Sequence, residues 1–395
     1  SREWQHSLVN AMFNSNKELV QQLVASVDVN IDHDISLIGT LFEATRTGDV
    51  EIFEWILQML KELRLPIDDV EFNIHWLHCL HIAISLQSTE LVECVFKHSN
   101  NLKPSRDIFS SVLEVHGSFV HRSCHCLKLF EKLITMSDES TWLEQQNQVS
   151  ILNEIISKHC EKEFVEVLFA RISLQHAHKL IQSKNSDGLN ALHLAVLLGH
   201  RDITDIFLQL EGTEEYFFER TPAGNNVIHL CVLNSNPDED SAELLNILCK
   251  YRPIGILMEE LNVRNDAGET PLLISVQNEL ACCVSLLLCF GADHSIPDYR
   301  GYSCTHVAAL QNSFVLLKKL LAVHELPAVT QNIPTPLHLA AVSASVNVVD
   351  QIQLLVTKKA DITAQDSHGS TPLHSACLVG NLKTVKAMLT LNTVM

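Results

Sequence analysis

The sequence predicts an all-α fold, a solenoid of short stacked helix-turn-helix units, and three observations predict it. The tetrapeptide Thr335-Pro336-Leu337-His338 returns as Thr371-Pro372-Leu373-His374, and a pattern that recurs at a long, nearly fixed interval marks stacked supersecondary units. After each copy apolar residues follow at helical spacing, as Leu382, Val385, Met388 and Leu389 do. Apolar residues make up 46% of the chain but aromatics only 6%. That composition suits thin helix-helix interfaces filled by Leu, Val, Ile and Ala, and excludes a disordered chain.

The stretch 369–389 contains one whole unit. Thr371 can cap the first orphan backbone donors, Pro372 fits the first helical position, where an N–H would be unpaired anyway, and Leu373 and Ala376 begin an apolar face. Gly380 can take the left-handed conformation that closes the helix. A second helix runs from Asn381. One such pair cannot bury its own apolar face and must stack on another.

Further copies follow by the small residue two after the His position. Ala195 follows Ala191-Leu192-His193, Cys231 follows Val227-Ile228-His229, and Ser275 follows Thr270-Pro271-Leu272-Leu273, where Leu replaces His. Ala308 follows Cys304-Thr305-His306, and Ala340 and Ala376 follow the two Thr-Pro-Leu-His copies. The spacing is about 33 residues with insertions. These residues resemble the ankyrin repeat, whose signature is G-x-T-P-L-H-x-A-x-x-x-G, an apolar helix and then G-A-D, as in Gly291-Ala292-Asp293. The resemblance implies about ten or eleven units with β-hairpin tips. It also implies that the signature His ties each helix start to neighbouring backbone.

The N-terminal half repeats more faintly. Ala11, Ala44 with Gly48, and Ala83 after His81 keep the register, and Ser7 to Val24 keeps the helix-pair pattern. Between Ser105 and Gln182 the signature fails while helical spacing persists. The expected organisation is N-terminal ankyrin-like repeats over 1–104, degenerate helical repeats or a spacer over 105–183, and C-terminal ankyrin repeats over 184–395. Insertions around Asn234 to Asp240, Arg252 to Asn262 and Ala344 to Asn347 are expected to protrude as loops.

The net charge of −19 argues against nucleic acid as a partner, since affinity for phosphate comes from Lys and Arg, and favours a protein partner with a basic or helical segment. The 12 Cys fall mostly in apolar helical runs, as at Cys282, Cys283 and Cys289, and read as buried small hydrophobes in a reducing compartment. Residues 1–10 lack the apolar segment of a secretory signal, and the longest apolar run is too short to span a bilayer, so no direct membrane insertion and a cytoplasmic or nuclear location are expected. The absence of an initiator Met, and an end just after a second helix, suggest a piece of a larger protein.

Two clusters carry metal-ligand residue types: His75, His78, Cys79 and His81, and His121 with Cys124, His125 and Cys126. Neither has the paired spacing of a structural zinc site, and His81 falls at the signature position, so no metal or other cofactor is expected. Phosphate loops, nucleophile elbows, H-E-x-x-H and kinase signatures are missing from the sequence. The expectation is a chain with no catalytic activity of its own.

Binding remains. In ankyrin proteins the tips before each signature, with two variable residues near the end of the first helix, line a concave surface. Carried onto this chain, the tips include Asp187, Asp266, Glu269, Tyr299, Arg300, Tyr302 and His368. The helix positions are Leu197 and Leu198, Leu233 and Asn234, Gln277 and Asn278, Leu310 and Gln311, Val342 and Ser343, and Leu378 and Val379. Five of these six pairs contain an apolar residue, which suits either a partner-binding strip or packing against neighbouring repeats. Tyr299, Arg300 and Tyr302 are residue types that dominate interface energetics. The implied function is a scaffold that holds a protein partner on this face. Two alternatives are a regulatory module of a larger enzyme or ion channel, and an inhibitor masking a basic segment of a transcription factor.

Overall fold

A computed structural model describes residues 34–62, 73–99, 105–118, 124–137, 150–212, 214–234, 237–251, 254–311, 313–323, 333–343 and 347–392, with positions 7, 10, 11, 18, 19 and 22. Most of the expected helix pair over Ser7 to Val24, and Ala344, Ser345 and Val346 of the third insertion, lie outside the described residues. Among the described residues every regular element is a helix. The contacts divide the chain into two compact units, Ser1–Ser183 and Lys184–Met395.

In the first unit, helices pair in sequence: α1 (Asp34–Arg46) with α2 (Val50–Glu62), α3 (Asn73–Ser85) with α4 (Thr89–His98), α5 (Arg106–Ser118) with α6 (Cys124–Met136), and α7 (Ile151–Ser157) with α8 (Lys162–Phe169). Stacking runs in two rows, α1, α3, α5 and α7 in one and α2, α4, α6 and α8 in the other, and α9 (Leu174–Gln182) packs on α7. The few aromatics concentrate in these interfaces. Phe109 lies edge-on to Phe130 at 5.8 Å, and Phe130 lies 5.1 Å from Phe164; all three rings are fully buried, as are Trp76 and Phe53. Each such ring is a large share of the apolar area that holds neighbouring pairs together.

Helices α1, α3 and α5 run 13 residues. This corrects the reading of His81. Because α3 starts at Asn73, His81 sits in mid-helix, exposed, with Nδ1 3.2 Å from Ser111 Oγ, and ties no helix start. The register is kept elsewhere: Ser150 caps α7, and at the third position Asn153 donates from Nδ2 to the Ser183 carbonyl at 3.1 Å.

In the second unit the pairs are α10 (Ala191–Leu197) with α11 (Arg201–Gln209), then, after a short α12 (Glu214–Phe218), α13 (Val227–Leu233) with α14 (Asp238–Lys250). Beyond α15 (Ile254–Leu261) come α16 (Pro271–Gln277) with α17 (Ala281–Cys289), α18 (Cys304–Leu310) with α19 (Phe314–Val323), α20 (Pro336–Val342) with α21 (Val348–Thr357), and α22 (Pro372–Val379) with α23 (Leu382–Asn392). First helices stack on first helices and second on second along the whole unit. Gly380 closes α22 at φ 74, in the left-handed region.

Two expectations about insertions are corrected. Asp238 to Asp240 do not form a loop but open α14, and the Asp238 carboxylate reaches across to accept the Cys282 and Cys283 amides of α17 at 2.7 and 3.1 Å. The second insertion folds as α15, because Leu257 and Leu261 fall four apart and can both be buried. The buried-cysteine reading holds for Cys283 but not for Cys282 and Cys289, which the helical turn places on the exposed side of α17. No described cysteine is paired in a disulfide, and no described helix is long and apolar enough to cross a membrane.

Candidate functional site

The candidate site starts from the helix caps. At α10 the Asn190 side chain accepts the His193 amide at 2.8 Å, the His193 ring Nδ1 takes the Asn190 amide at 3.4 Å, and Nε2 lies 3.1 Å from the Glu219 carbonyl. His229 repeats this with Asn226 at 3.2 Å and the Glu269 carbonyl at 3.0 Å. His338 does so with Thr335 at 3.1 Å and the Ser370 carbonyl at 2.8 Å. A ring whose Nδ1 accepts must carry its proton on Nε2, so each imidazole bridges one helix start to the chain leading to the next. Burial, the largest influence, pulls His193 down and pulls His229 and His306 to about 4, so they are neutral at pH 7.

These ties fix the tips. Among the described residues the tips are tight turns with no strand assigned: Asn265 N–H bonds the Glu269 carbonyl at 2.9 Å and Gly268 N–H bonds Asn265 O at 2.8 Å. Neighbouring tips touch. Asp266 N–H reaches the Ala223 carbonyl at 3.1 Å, and Gly268, at φ +81, lies so close to the next tip that a Cβ there would come within 2.6 Å of Tyr299 N. Asp298, 3% exposed, accepts the Arg300 and Tyr302 amides at 2.9 and 2.8 Å and the Arg300 Nε at 3.1 Å. Tyr299 is thereby held out at 67% exposure.

The tip cluster is larger than the sequence reading drew it. Arg264 places its guanidinium 5.2 Å over the Tyr299 ring, and Arg300 lies 5.9 Å over Tyr302, a geometry that attracts cation to ring. Arg264 precedes the turn that opens at Asn265, so no tip pattern marks it.

The first-helix ends divide. Leu233, Leu310 and Val342 are 39%, 55% and 42% exposed within the run of stacked pairs, and Leu378 and Val379 are 90% and 50% exposed on the final described pair. Leu197 and Leu198 are half-buried. Side chains bind these ends to one another: Asn278 Nδ2 to the Val232 carbonyl at 3.0 Å, Gln311 Nε2 to the Gln277 carbonyl at 2.6 Å, Asn381 Nδ2 to the Ser343 carbonyl at 2.7 Å. At α18 the polar Gln311 thus turns toward the neighbouring repeat while Leu310 faces solvent. Gln277 and Asn278 interrupt the apolar series. Glu269 is engaged internally, accepting from Gln277 Nε2 at 3.0 Å, whereas Asp266, Arg300 and His368 are exposed and Tyr302 half-buried.

A family model described as ankyrin repeats (3 copies) matches residues 305–394. The chain is 25% identical over 244 residues to an E3 ubiquitin-protein ligase, KEG, of Arabidopsis thaliana, covering 53% of this chain and 15% of that protein. It is 29% identical over 169 residues to the nuclear factor NF-kappa-B p105 subunit of Gallus gallus, covering 42% and 17%. It is 28% identical over 162 residues to the NF-kappa-B inhibitor alpha of Homo sapiens, covering 39% and 48%. The chain thus spans less than half the length of each of these relatives. Among solved structures it resembles the ankyrin repeat domain of Bcl-3, described as a unique member of the IkappaB protein family, with a TM-score of 0.50 and 22% identity over 60% of this chain and 97% of that one. That likeness concerns the fold. Residues 305–394 are thus ankyrin repeats, and the stacked pairs and His-tied starts of the second unit repeat the same unit on the N-terminal side of that segment.

Proposed function

We propose that this chain is a non-catalytic interaction module that holds a protein partner against the tips and first-helix ends of its second unit. The observation that carries the proposal is the exposure of Leu233, Leu310 and Val342 at corresponding helix ends, beside the Arg264, Tyr299 and Arg300 tip. Apolar side chains left in water at matching positions cost solvation that a partner's surface would recover. The tip is held rigid by Asp298, so little side-chain freedom is lost on binding.

A second reading has its own support. Two relatives are named as an NF-kappa-B inhibitor and an NF-kappa-B subunit, and the chain carries a net charge of −19. In this reading the partner presents a basic segment of a transcription factor, which the acidic array masks. The docking surface is the same; the driving force differs.

Capture of partners from cell extract tests the site. The comparison is between the parent, a variant with Tyr299→Ala, Arg300→Ala, Tyr302→Ala and Leu310→Ser, and a control with Lys318→Ser and Gln353→Ser on the exposed sides of α19 and α21. The proposal expects the four-site variant to lose at least about tenfold in capture, given roughly 2 kcal/mol per interface aromatic or Arg, and the control to match the parent. Equal capture by all three proteins contradicts it.

A further inference from the structure

The first unit holds a cluster of different chemistry. Glu54 on α2 meets Cys94 and His98 on α4: Cys94 Sγ lies 3.7 Å from Glu54 Oε1, His98 Nε2 lies 3.6 Å from the same oxygen, and the three ligand atoms all fall within 4.8 Å of one another. The geometry follows from the sequence. Residues four apart on a helix share a face one turn apart, and the packing of α2 on α4 lays Glu54 over that face.

Thiolate, imidazole and carboxylate are the ligands of zinc, with bonds of about 2.3 Å to sulfur and about 2.0–2.2 Å to nitrogen and oxygen. A tetrahedron with such bonds separates its ligand atoms by roughly 3.3–3.7 Å. The 3.6 and 3.7 Å separations already lie in that range. In addition, His98 Nε2 is buried without a hydrogen-bond partner, and 3.6 Å from Glu54 is too long for one. A buried ring nitrogen with nothing to satisfy it is an uncommon and costly feature.

We propose that Glu54, Cys94 and His98 bind one zinc-class divalent cation, with water in the fourth position, and that the cation clamps α2 to α4. The ligands are suited to it. Burial, more than the nearby Lys61, pulls His98 down, so its imidazole is neutral at pH 7 and has a lone pair to give. Burial and then the Glu54 carboxylate push the Cys94 thiol up to about 12, so it enters as the thiol. On binding, the S–H bond breaks, the sulfur electron pair goes to the metal and the proton leaves to solvent; no electron is transferred. Lys97 holds Glu54 Oε1 at 3.0 Å, but its side chain is 66% exposed and can move to Oε2 or to water when the cation takes Oε1.

The test uses the full chain with Co²⁺ as a spectroscopic probe and Zn²⁺ as competitor, under a non-thiol reductant. The expected result is a thiolate-to-cobalt charge-transfer band saturating at one equivalent and displaced by Zn²⁺. Cys94→Ser abolishes the band, and His98→Ala and Glu54→Gln each weaken Zn²⁺ binding by at least about tenfold, the lower end of what even outer-shell changes cost. Combined Cys282→Ser, Cys289→Ser and Cys377→Ser leaves it in place. Zn²⁺ raises the Tm of the parent and not of Cys94→Ser, a readout that also reveals whether each variant still unfolds cooperatively. A band that persists in Cys94→Ser, the absence of a one-equivalent band in the parent, or an equal Zn²⁺ effect on both Tm values would overturn the proposal.

Discussion

At the scale of single residues, His193, His229 and His338 join helix starts to the backbone leading into the following repeat, and the protonation of the buried cap histidines links the fold to pH. Unfolded, an imidazole titrates near 6.5; folded, His229 and His306 take a proton only near about 4. Between those values the unfolded chain binds more protons. Stability is therefore full above about pH 7 and falls as pH drops toward 4, by up to roughly 3 kcal/mol per histidine. Urea unfolding at pH 7.5 and pH 4.5 checks this: the advantage of the parent over His229→Gln shrinks at the lower pH, and an unchanged difference contradicts it. At pH 7.5, His229→Ala costs about 1–3 kcal/mol, because it leaves the buried Asn226 amide without its acceptor and removes one of the two donors to the Glu269 carbonyl. The cap was legible from the residue types of Thr-Pro-Leu-His, and the tie through the resemblance that those residues carry. Asn153 was not, since it performs the same bridging with a side chain outside the signature, and His81 matched the signature in a helix that starts too early for it to act. Cys94 and His98 carry a readable four-residue spacing, but Glu54 joins them only through the packing of α2 on α4.

At the scale of elements, the helix ends decide what sequence could tell. Gly380 was readable as a stop, and it closes α22 at φ 74 with open space around it. After second helices, Lys359 takes at φ 68 the left-handed position that Gly291 takes at φ 93, and the Asp361 carboxylate that follows accepts the Thr363 amide at 2.8 Å, as Asp293 accepts that of Ser295 at 2.8 Å. The turn is thus the same with the less suitable residue. Lys359→Gly is expected to raise stability by about 0.5–1 kcal/mol and Gly380→Ala to lower it by about 1 kcal/mol in urea unfolding; opposite signs contradict the backbone reading. Gly268→Ala meets both the left-handed penalty and Tyr299, and is expected to cost about 2 kcal/mol or more. Extra length alone does not distinguish a protruding loop from an added helix, whereas residue pattern does. Leu257 and Leu261 already carried helical spacing, and Pro237 followed by Asp238, Glu239 and Asp240 already had the acidic first turn of a helix.

At the scale of the whole molecule, two rows of helices stack within each compact unit, and in the second unit Leu233, Leu310 and Val342 are exposed at first-helix ends and Tyr299 at a tip. The signature made the second unit legible. The pairs over 106–169 follow the same row pattern with other residues at the helix starts, which a motif does not reveal. Salt separates the two functional readings. A partner held by Leu233, Leu310 and Val342 should lose little affinity between 50 and 300 mM salt, whereas masking of a basic segment should weaken about tenfold or more. The most direct test of the central claim is quantitative capture by the parent, the Tyr299, Arg300, Tyr302 and Leu310 variant, and the Lys318 and Gln353 control, each checked for cooperative unfolding. The account predicts that a partner held by the parent and the control is lost by the folded four-site variant; retention by that variant would contradict it.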